Sequence, residues 1–292
     1  MYVIKNTILY VGGFILPDRN AAAQRVVSIA KILRDLNYNV IFLNRSPYAL
    51  SREWKETEYY GFKCFEQKKK NSKVELVHEL WDIDFVKSYV SKIGNVSAII
   101  AYNFPAGALK NLIIFCRLKN IKCIGDVTEW YGSKGRSFAY KIIKGIDTFY
   151  RMRILQKKLD GIIAISDFLE GYYSRCTKVV NLPPLVDKQD PKWNCQVKEH
   201  AGVQLIYAGS PSSEKERLDL ITEAVLELHE KYDVKLKVIG ITREQFLNIY
   251  SWNEEKITNN KNISFLGRLP HEEVVKQVSS SDYSILIRDK NR

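Results

Sequence analysis

Thr7–Gly13 (TILYVGG), the stretch from Asn20 to Asn37, and Asn39–Asn44 (NVIFLN) constrain the architecture of this chain more than anything else in it. The first is a β run that closes on two glycines. The second places Ala22, Val26, Ile29, Leu33 and Leu36 at spacings of three and four, the buried stripe of a helix. The third is another apolar β run. This strand–loop–helix–strand order is a βαβ unit, whose strands pair in parallel. Phe62–Gln67, Ser97–Asn103, Lys122–Val127, Gly161–Ser166 and Lys178–Leu182 continue the series, with helical stretches between most of them. Several are continuous apolar runs, as expected when helices cover both faces of a sheet.

Asn181–Asp187 (NLPPLVD) breaks the pattern. With the polar stretch Lys188–Gly202 it predicts a linker at 188–202, between a first domain of 1–187 and a second of 203–292. A new βα series then begins: Val203–Gly209, Lys235–Gly240, Ile263–Gly267 and Tyr283–Arg288. The fold class is α/β, with two Rossmann-like parallel-sheet domains. The second is expected to be incomplete, since a doubly wound sheet of this kind has about six strands.

Composition excludes several classes. Apolar residues at 46% and charged residues at 27% describe a globular chain. Ile8–Leu16 is short, interrupted by glycines and followed by Pro17-Asp18, so it is not a secretory leader. No apolar run approaches the roughly 20 residues of a spanning helix. The five cysteines (64, 116, 123, 176 and 195) form no C-x-x-C pair and have no nearby His, which points to reduced thiols in the cytoplasm and to no metal site. Residues 1–200 carry 32 Lys and Arg against 19 Asp and Glu, whereas residues 201–292 carry 13 against 14. The asymmetry suggests either an anionic partner for the first part alone (a membrane surface, a lipid pyrophosphate or nucleic acid) or a soluble basic surface without a specific partner. No base-reading motif supports nucleic acid.

Four stretches carry chemistry. In Tyr207–Arg217 (YAGSPSSEKER) a strand ends at Gly209 and a small-residue loop containing Ser210 follows; a helix is expected to start near Ser213, with Ser213 and Glu216 at capping-box spacing. A loop entering a helix N-terminus at a strand's carboxyl end suits a phosphate. Lys215 either adds a positive charge there or is an ordinary solvated lysine. Gly12-Gly13 either opens a similar loop in the first domain or serves tight βα packing; it is no G-x-G-x-x-G fingerprint, so a classical NAD site is rejected. Asp126-Val-Thr-Glu129 follows a strand where a parallel sheet presents ligand-facing groups. Its two carboxylates can act as a base, accept hydrogen bonds from sugar hydroxyls or stabilise charge; the alternative is a helix-capping loop. Finally, 134–158 mixes Lys134, Arg136, Lys141, Lys144, Arg151, Arg153, Lys157 and Lys158 with Phe138, Ile142, Ile146, Phe149, Met152 and Leu155 at helical spacing. This fits a helix lying on an anionic bilayer, or a core helix with a solvated basic face.

In order and spacing, the Gly-Gly loop, Asp126-Val-Thr-Glu-Trp, Ile163-Ala-Ile-Ser166, Tyr207-Ala-Gly with Lys215, and Ile263-Ser-Phe-Leu-Gly-Arg-Leu-Pro270 resemble the family 4 glycosyltransferases of GT-B fold. The resemblance implies a retaining transferase moving a hexose from a UDP- or GDP-linked sugar to a polysaccharide or lipid-linked acceptor. The donor would be held mainly by the second domain and the acceptor by the first. It implies that Lys215 neutralises the donor diphosphate, that Gly267-Arg268-Leu269 pass by the base, that Gly12-Gly13 and Ser210 lie against the donor, and that Asp126 and Glu129 occupy the catalytic region. No metal or other cofactor is implied, the nucleotide sugar being a co-substrate. The basic first domain fits a cytoplasmic protein held peripherally at the inner membrane face. Where many members have Gly-Arg, this chain has Gly209-Ser210. The acidic E-x7-E motif of the family would follow Arg292, so the resemblance implies a truncated chain of impaired activity, or a non-catalytic remnant that docks to a membrane or partner.

Overall fold

The computed structural model describes residues 6–69, 77–129, 138–195, 200–211, 216–250, 257 and 260–288. It divides into two compact units, Met1–Asp187 and Lys188–Arg292.

Unit 1 is built on an eight-stranded sheet. Its strands are β1 (Thr7–Gly12), β2 (Asn39–Ser46), β3 (Lys55–Tyr59), β4 (Phe62–Lys68), β5 (Val96–Tyr102), β6 (Lys122–Val127), β7 (Gly161–Ala164) and β8 (Lys178–Asn181). Their order is β3-β4-β2-β1-β5-β6-β7-β8, parallel throughout except for the edge pair β3–β4. The helices are α1 (Ala21–Asp35), α2 (Asp84–Ile93), α3 (Ala106–Leu118), α4 (Phe138–Tyr150) and α5 (Asp167–Tyr173). Asn20 starts α1 by accepting a 2.8 Å hydrogen bond from the Ala23 N–H through its side chain, which satisfies one of the unpaired donors at a helix start.

Successive strand residues face opposite sides of a sheet, and here both sides are covered. Leu9, Val11, Ile41 and Leu43 pack with Val86, Leu109 and Leu112 from α2 and α3. Ile8, Tyr10, Val40 and Phe42 pack with Ala23, Val26 and Ala30 from α1. That double burial is why these strands read as unbroken apolar runs. The chain winds outward from β1 to β2 and β4, then returns to β5 on the other side of β1. The topological switch point therefore lies between β1 and β5, where open α/β sheets bind ligands.

Unit 2 has a four-stranded parallel sheet, β11-β10-β9-β12, of β9 (Val203–Ala208), β10 (Val234–Ile239), β11 (Ile263–Gly267) and β12 (Tyr283–Ser284). Its helices are α6 (Leu218–Leu228), α7 (Arg243–Tyr250) and α8 (His271–Ser279). Ile221, Val225 and Phe246 pack on Leu236 and Val238 in its core. Here the switch point lies between β9 and β12.

Three expectations need correction. The hairpin strand β3 (KETEY) is absent from the sequence reading; it is an edge strand with charged residues, and Tyr60 and Gly61 make its turn with positive φ angles of 54° and 75°. The run Tyr283–Arg288 forms a ladder only at Tyr283–Ser284, although the Ile285 N–H still reaches Ile206 O at 2.9 Å. Helix α6 begins at Leu218 rather than near Ser213, without a side-chain cap.

Candidate functional site

In unit 1, β1 ends at the switch point in Gly12-Gly13. Gly12 has φ +149°, and a Cβ there would lie 2.1 Å from the Tyr102 carbonyl oxygen on β5. Glycine is thus required at Gly12 for the close approach of two strands. Gly13 differs: its N–H donates to Tyr102 O at 3.2 Å, and a Cβ would meet nothing within 4 Å. Of the pair, Gly13 is the one with open space beside it.

Asp126 and Glu129 sit in different surroundings, the first buried and the second exposed. Asp126, on β6, is enclosed. Tyr10 donates its phenol to Oδ2 at 2.5 Å, and Arg25 Nε and Nη2 each contact Oδ1 at 2.9 Å. The side chains of Arg25 and Asp126 are 6% and 0% exposed. Arg25 also donates through Nη1 to Leu182 O at 2.8 Å. Burial pushes the Asp126 carboxyl above its ordinary range, against the opposing pull of Arg25 and the Tyr10 hydrogen bond. Both oxygens have protein partners, and these tie β6 to β1 and α1. Glu129, past the end of β6, is exposed.

The basic stretch 134–158 lies partly outside the described residues, which include neither Lys134 nor Arg136, nor the side chains of Phe138, Lys141 and Ile142. From Lys144 onward the predicted stripe divides. Met152 and Leu155 are buried, while Ile146 and Phe149 are 66% and 56% exposed. The cause is local: Arg151–Leu155 forms a π-turn, whose extra residue per turn rotates the following side chains out of phase with the preceding helix. Arg151, expected on the basic face, is buried and donates to Phe104 O at 3.2 Å. Asp147 on α4 accepts the Ala106 N–H at 2.7 Å and so caps α3.

In unit 2 the carboxyl ends of three strands are laced by backbone hydrogen bonds: Gly209 N–H to Ile239 O at 3.0 Å, and Gly240 N–H to Gly267 O at 2.7 Å. Gly240 has φ +111°, and a Cβ there would lie 1.7 Å from Gly209 O. Ser210 and Arg268 are exposed beyond this edge, and Leu269 is half-buried. Lys215 lies outside the described residues, as does Ser213.

Glu216 does not close a capping box. Its carboxylate is buried, accepts the Tyr207 phenol, and meets Arg288 Nη2 at 3.1 Å. Burial, followed by the hydrogen bond and charge of Glu216, holds the Tyr207 phenol far above its usual range. The backbone around it is fixed too: Tyr250 donates its hydroxyl to Glu216 O at 2.7 Å, and the Arg217 N–H reaches Ile287 O at 2.9 Å. Tyr207, Glu216 and Arg288 form a cluster the sequence did not reveal. Its one visible signal is a charged residue closing the apolar run Ile285–Ile287.

Among the described residues no cluster of three His, Cys, Asp or Glu side chains could hold a metal ion, and no helix is long and apolar enough to cross a membrane. All five cysteines are free thiols.

No protein-family model and no curated protein sequence matches this chain. Solved structures do match in fold. The catalytic domain of starch synthase IV from Arabidopsis thaliana, bound to ADP and acarbose, aligns with TM-score 0.65 and 9% identity, over 96% of this chain and 78% of that one. A glycosyltransferase from Rickettsia africae aligns with TM-score 0.59 and 14% identity, over 97% and 73%. A UDP-GlcNAc 2-epimerase from Methanocaldococcus jannaschii aligns with TM-score 0.54 and 12% identity, over 93% and 75%. The fold is that of the GT-B glycosyltransferases.

Proposed function

We propose that this chain is a nucleotide-sugar-dependent glycosyltransferase, moving a hexose with retention from a UDP- or GDP-sugar to a saccharide or lipid-linked acceptor. The observation that carries the reading is the GT-B fold over nearly the whole chain, shared with starch synthase IV bound to ADP and with the Rickettsia transferase. The glycine-laced carboxyl edge of unit 2 adds to it. Ser210 and Arg268 are exposed just beyond that edge, beside a stretch with few side chains.

In this reading the C1–O bond of the donor breaks and negative charge collects on the departing diphosphate. Cations and oriented N–H groups stabilise that charge in place. Lys215 supplies the cation, Ser210 and the adjoining backbone supply donors, and Gly267-Arg268-Leu269 pass by the base. Gly13 leaves open space for a ligand at the switch point of unit 1. Glu129 is the carboxylate that can reach substrate, and Asp126 positions β6 beneath it. The exposed Ile146 and Phe149, with Lys144 and Arg153 on the same stretch, support peripheral contact with an anionic membrane at the cytoplasmic face.

The experiment is a binding and product assay on this chain with UDP-, GDP- and ADP-hexoses. Saturable binding of one nucleoside diphosphate, and appearance of glycosylated acceptor, are expected. Binding of none of the three would overturn the reading. Conversion of the donor into its C2 epimer without release of nucleotide would assign the chain to the chemistry named for the Methanocaldococcus neighbour instead.

A further inference from the structure

Resting on the donor site just proposed, we propose that Arg288 is a second phosphate-contacting cation of unit 2, held in place by the buried carboxylate of Glu216.

Three observations lead there. The first is position. The chain leaving β12 runs alongside β9, with Ile285 bonded to Ile206 and Ile287 to Arg217 through the backbone. Arg288 therefore emerges at the carboxyl edge of the sheet, on the β9–β12 side of the switch point, next to Glu216 and Arg217, the two residues before α6.

The second is the asymmetry of the pair. The side chain of Glu216 is 8% exposed and that of Arg288 is 53% exposed. A buried carboxylate needs compensating partners, and Glu216 has two, the Tyr207 phenol and one guanidinium nitrogen. Arginine has five N–H donors in a fixed planar fork, and this contact engages Nη2 alone. One edge of the guanidinium is anchored to the interior while the rest is open to solvent.

The third is chemical. A planar guanidinium with a free edge matches two phosphate oxygens at once, which a lysine ammonium does not do. Tyr207 lies on β9 and Glu216 just before α6, so both anchors sit on the scaffold of the unit. Ser210 carries no charge, and Arg288 brings a formal positive charge to the same edge from the neighbouring strand. The ligand class is the diphosphate of a nucleoside diphosphate. Glu216 acts through Arg288 and is a positioning residue.

The test compares the affinities of each nucleoside diphosphate (UDP, GDP, ADP) and of its parent nucleoside for the wild-type chain, Arg288→Met and Arg288→Lys, with thermal melting to verify folding. Arg288→Met is expected to weaken the diphosphate about tenfold or more and to leave the nucleoside unchanged. Arg288→Lys is expected to recover part of that loss, because charge returns without the fork. Should Arg288→Met fail to fold, Arg288→Lys alone decides, by weakening the diphosphate selectively or not at all. Equal affinity for the diphosphate in wild type and the folded variants overturns this proposal and leaves the donor site standing. So does an equal loss for diphosphate and nucleoside, which marks a purely structural role. A wild-type chain that binds none of the three diphosphates overturns the donor site itself, and this proposal with it.

Discussion

Arg25 on α1 holds Asp126 on β6 across 101 residues of sequence, through two nitrogens each 2.9 Å from the same carboxylate oxygen, in a place solvent does not reach. Taking one member out of such a pair leaves the other charge buried and uncompensated. Asp126→Ala is expected to lose about 3–5 kcal/mol of folding stability, measured by chemical denaturation of the whole chain. If Asp126 instead met substrate directly, the variant would keep its stability and lose turnover.

The two glycines after β1 should respond in opposite ways to the same substitution. Gly12→Ala forces a Cβ to 2.1 Å from Tyr102 O at a φ that L-residues rarely adopt. A loss of about 2–4 kcal/mol, or insoluble expression, is expected. Gly13→Ala meets no atom within 4 Å. Its melting temperature should stay within a degree or two of wild type, roughly the scatter of a neutral surface change.

The acid limb of stability in unit 2 should run through Asp219. Its carboxylate accepts from Arg217 Nε at 3.0 Å and Nη2 at 2.7 Å, and this contact holds the carboxyl below its ordinary range. A carboxyl lowered in the folded state stabilises the fold at pH values above its unfolded pKa of about 3.9, and that stabilisation disappears as pH falls through the folded value. Asp219→Asn should therefore be less stable than wild type at pH 6–7, and the gap should narrow as pH falls below the ordinary carboxylate range. Denaturation curves at several pH values would show the narrowing. A constant gap across that range would contradict it.

Ile146 and Phe149 offer a test of membrane contact that avoids the core, since both side chains are largely exposed. Replacing both by Ser should leave the melting temperature close to wild type. Co-sedimentation with anionic phosphatidylglycerol vesicles should fall several-fold, and binding to neutral phosphatidylcholine vesicles should be weak for both forms. Vesicle binding that is identical in wild type and variant would remove this stretch from any membrane role.

Local patterns were readable in the sequence; long-range partnerships were not. The β1–α1–β2 unit was legible because its strands are buried on both faces and its helix carries a stripe from Ala22 to Leu36, so each signal sits within one element. Strand β3 escaped because Lys55-Glu-Thr-Glu-Tyr59 is a charged edge strand, paired on one side only. The helical period set at Phe138 failed after Tyr150 because a π-turn inserts a residue that no apolar pattern announces. Asp126 was visible as a carboxylate at a strand end. Its partners Tyr10 and Arg25 are 116 and 101 positions away, and nothing local distinguishes an acid that meets a ligand from one that neutralises a buried guanidinium. Glu216 misled in the same way: its spacing from Ser213 suggested a cap, whereas its carboxylate turns to Tyr207 and Arg288.

The guanidinium that neutralises Asp126 also grips the carbonyl of Leu182, just after the last strand of unit 1. One side chain thus joins the electrostatics at the middle of the sheet to the anchoring of the segment by which the chain departs from it. Disturbing the interior acid would slacken that departing segment as well, and a protease cutting beyond Leu182 would register the damage before the sheet itself came apart.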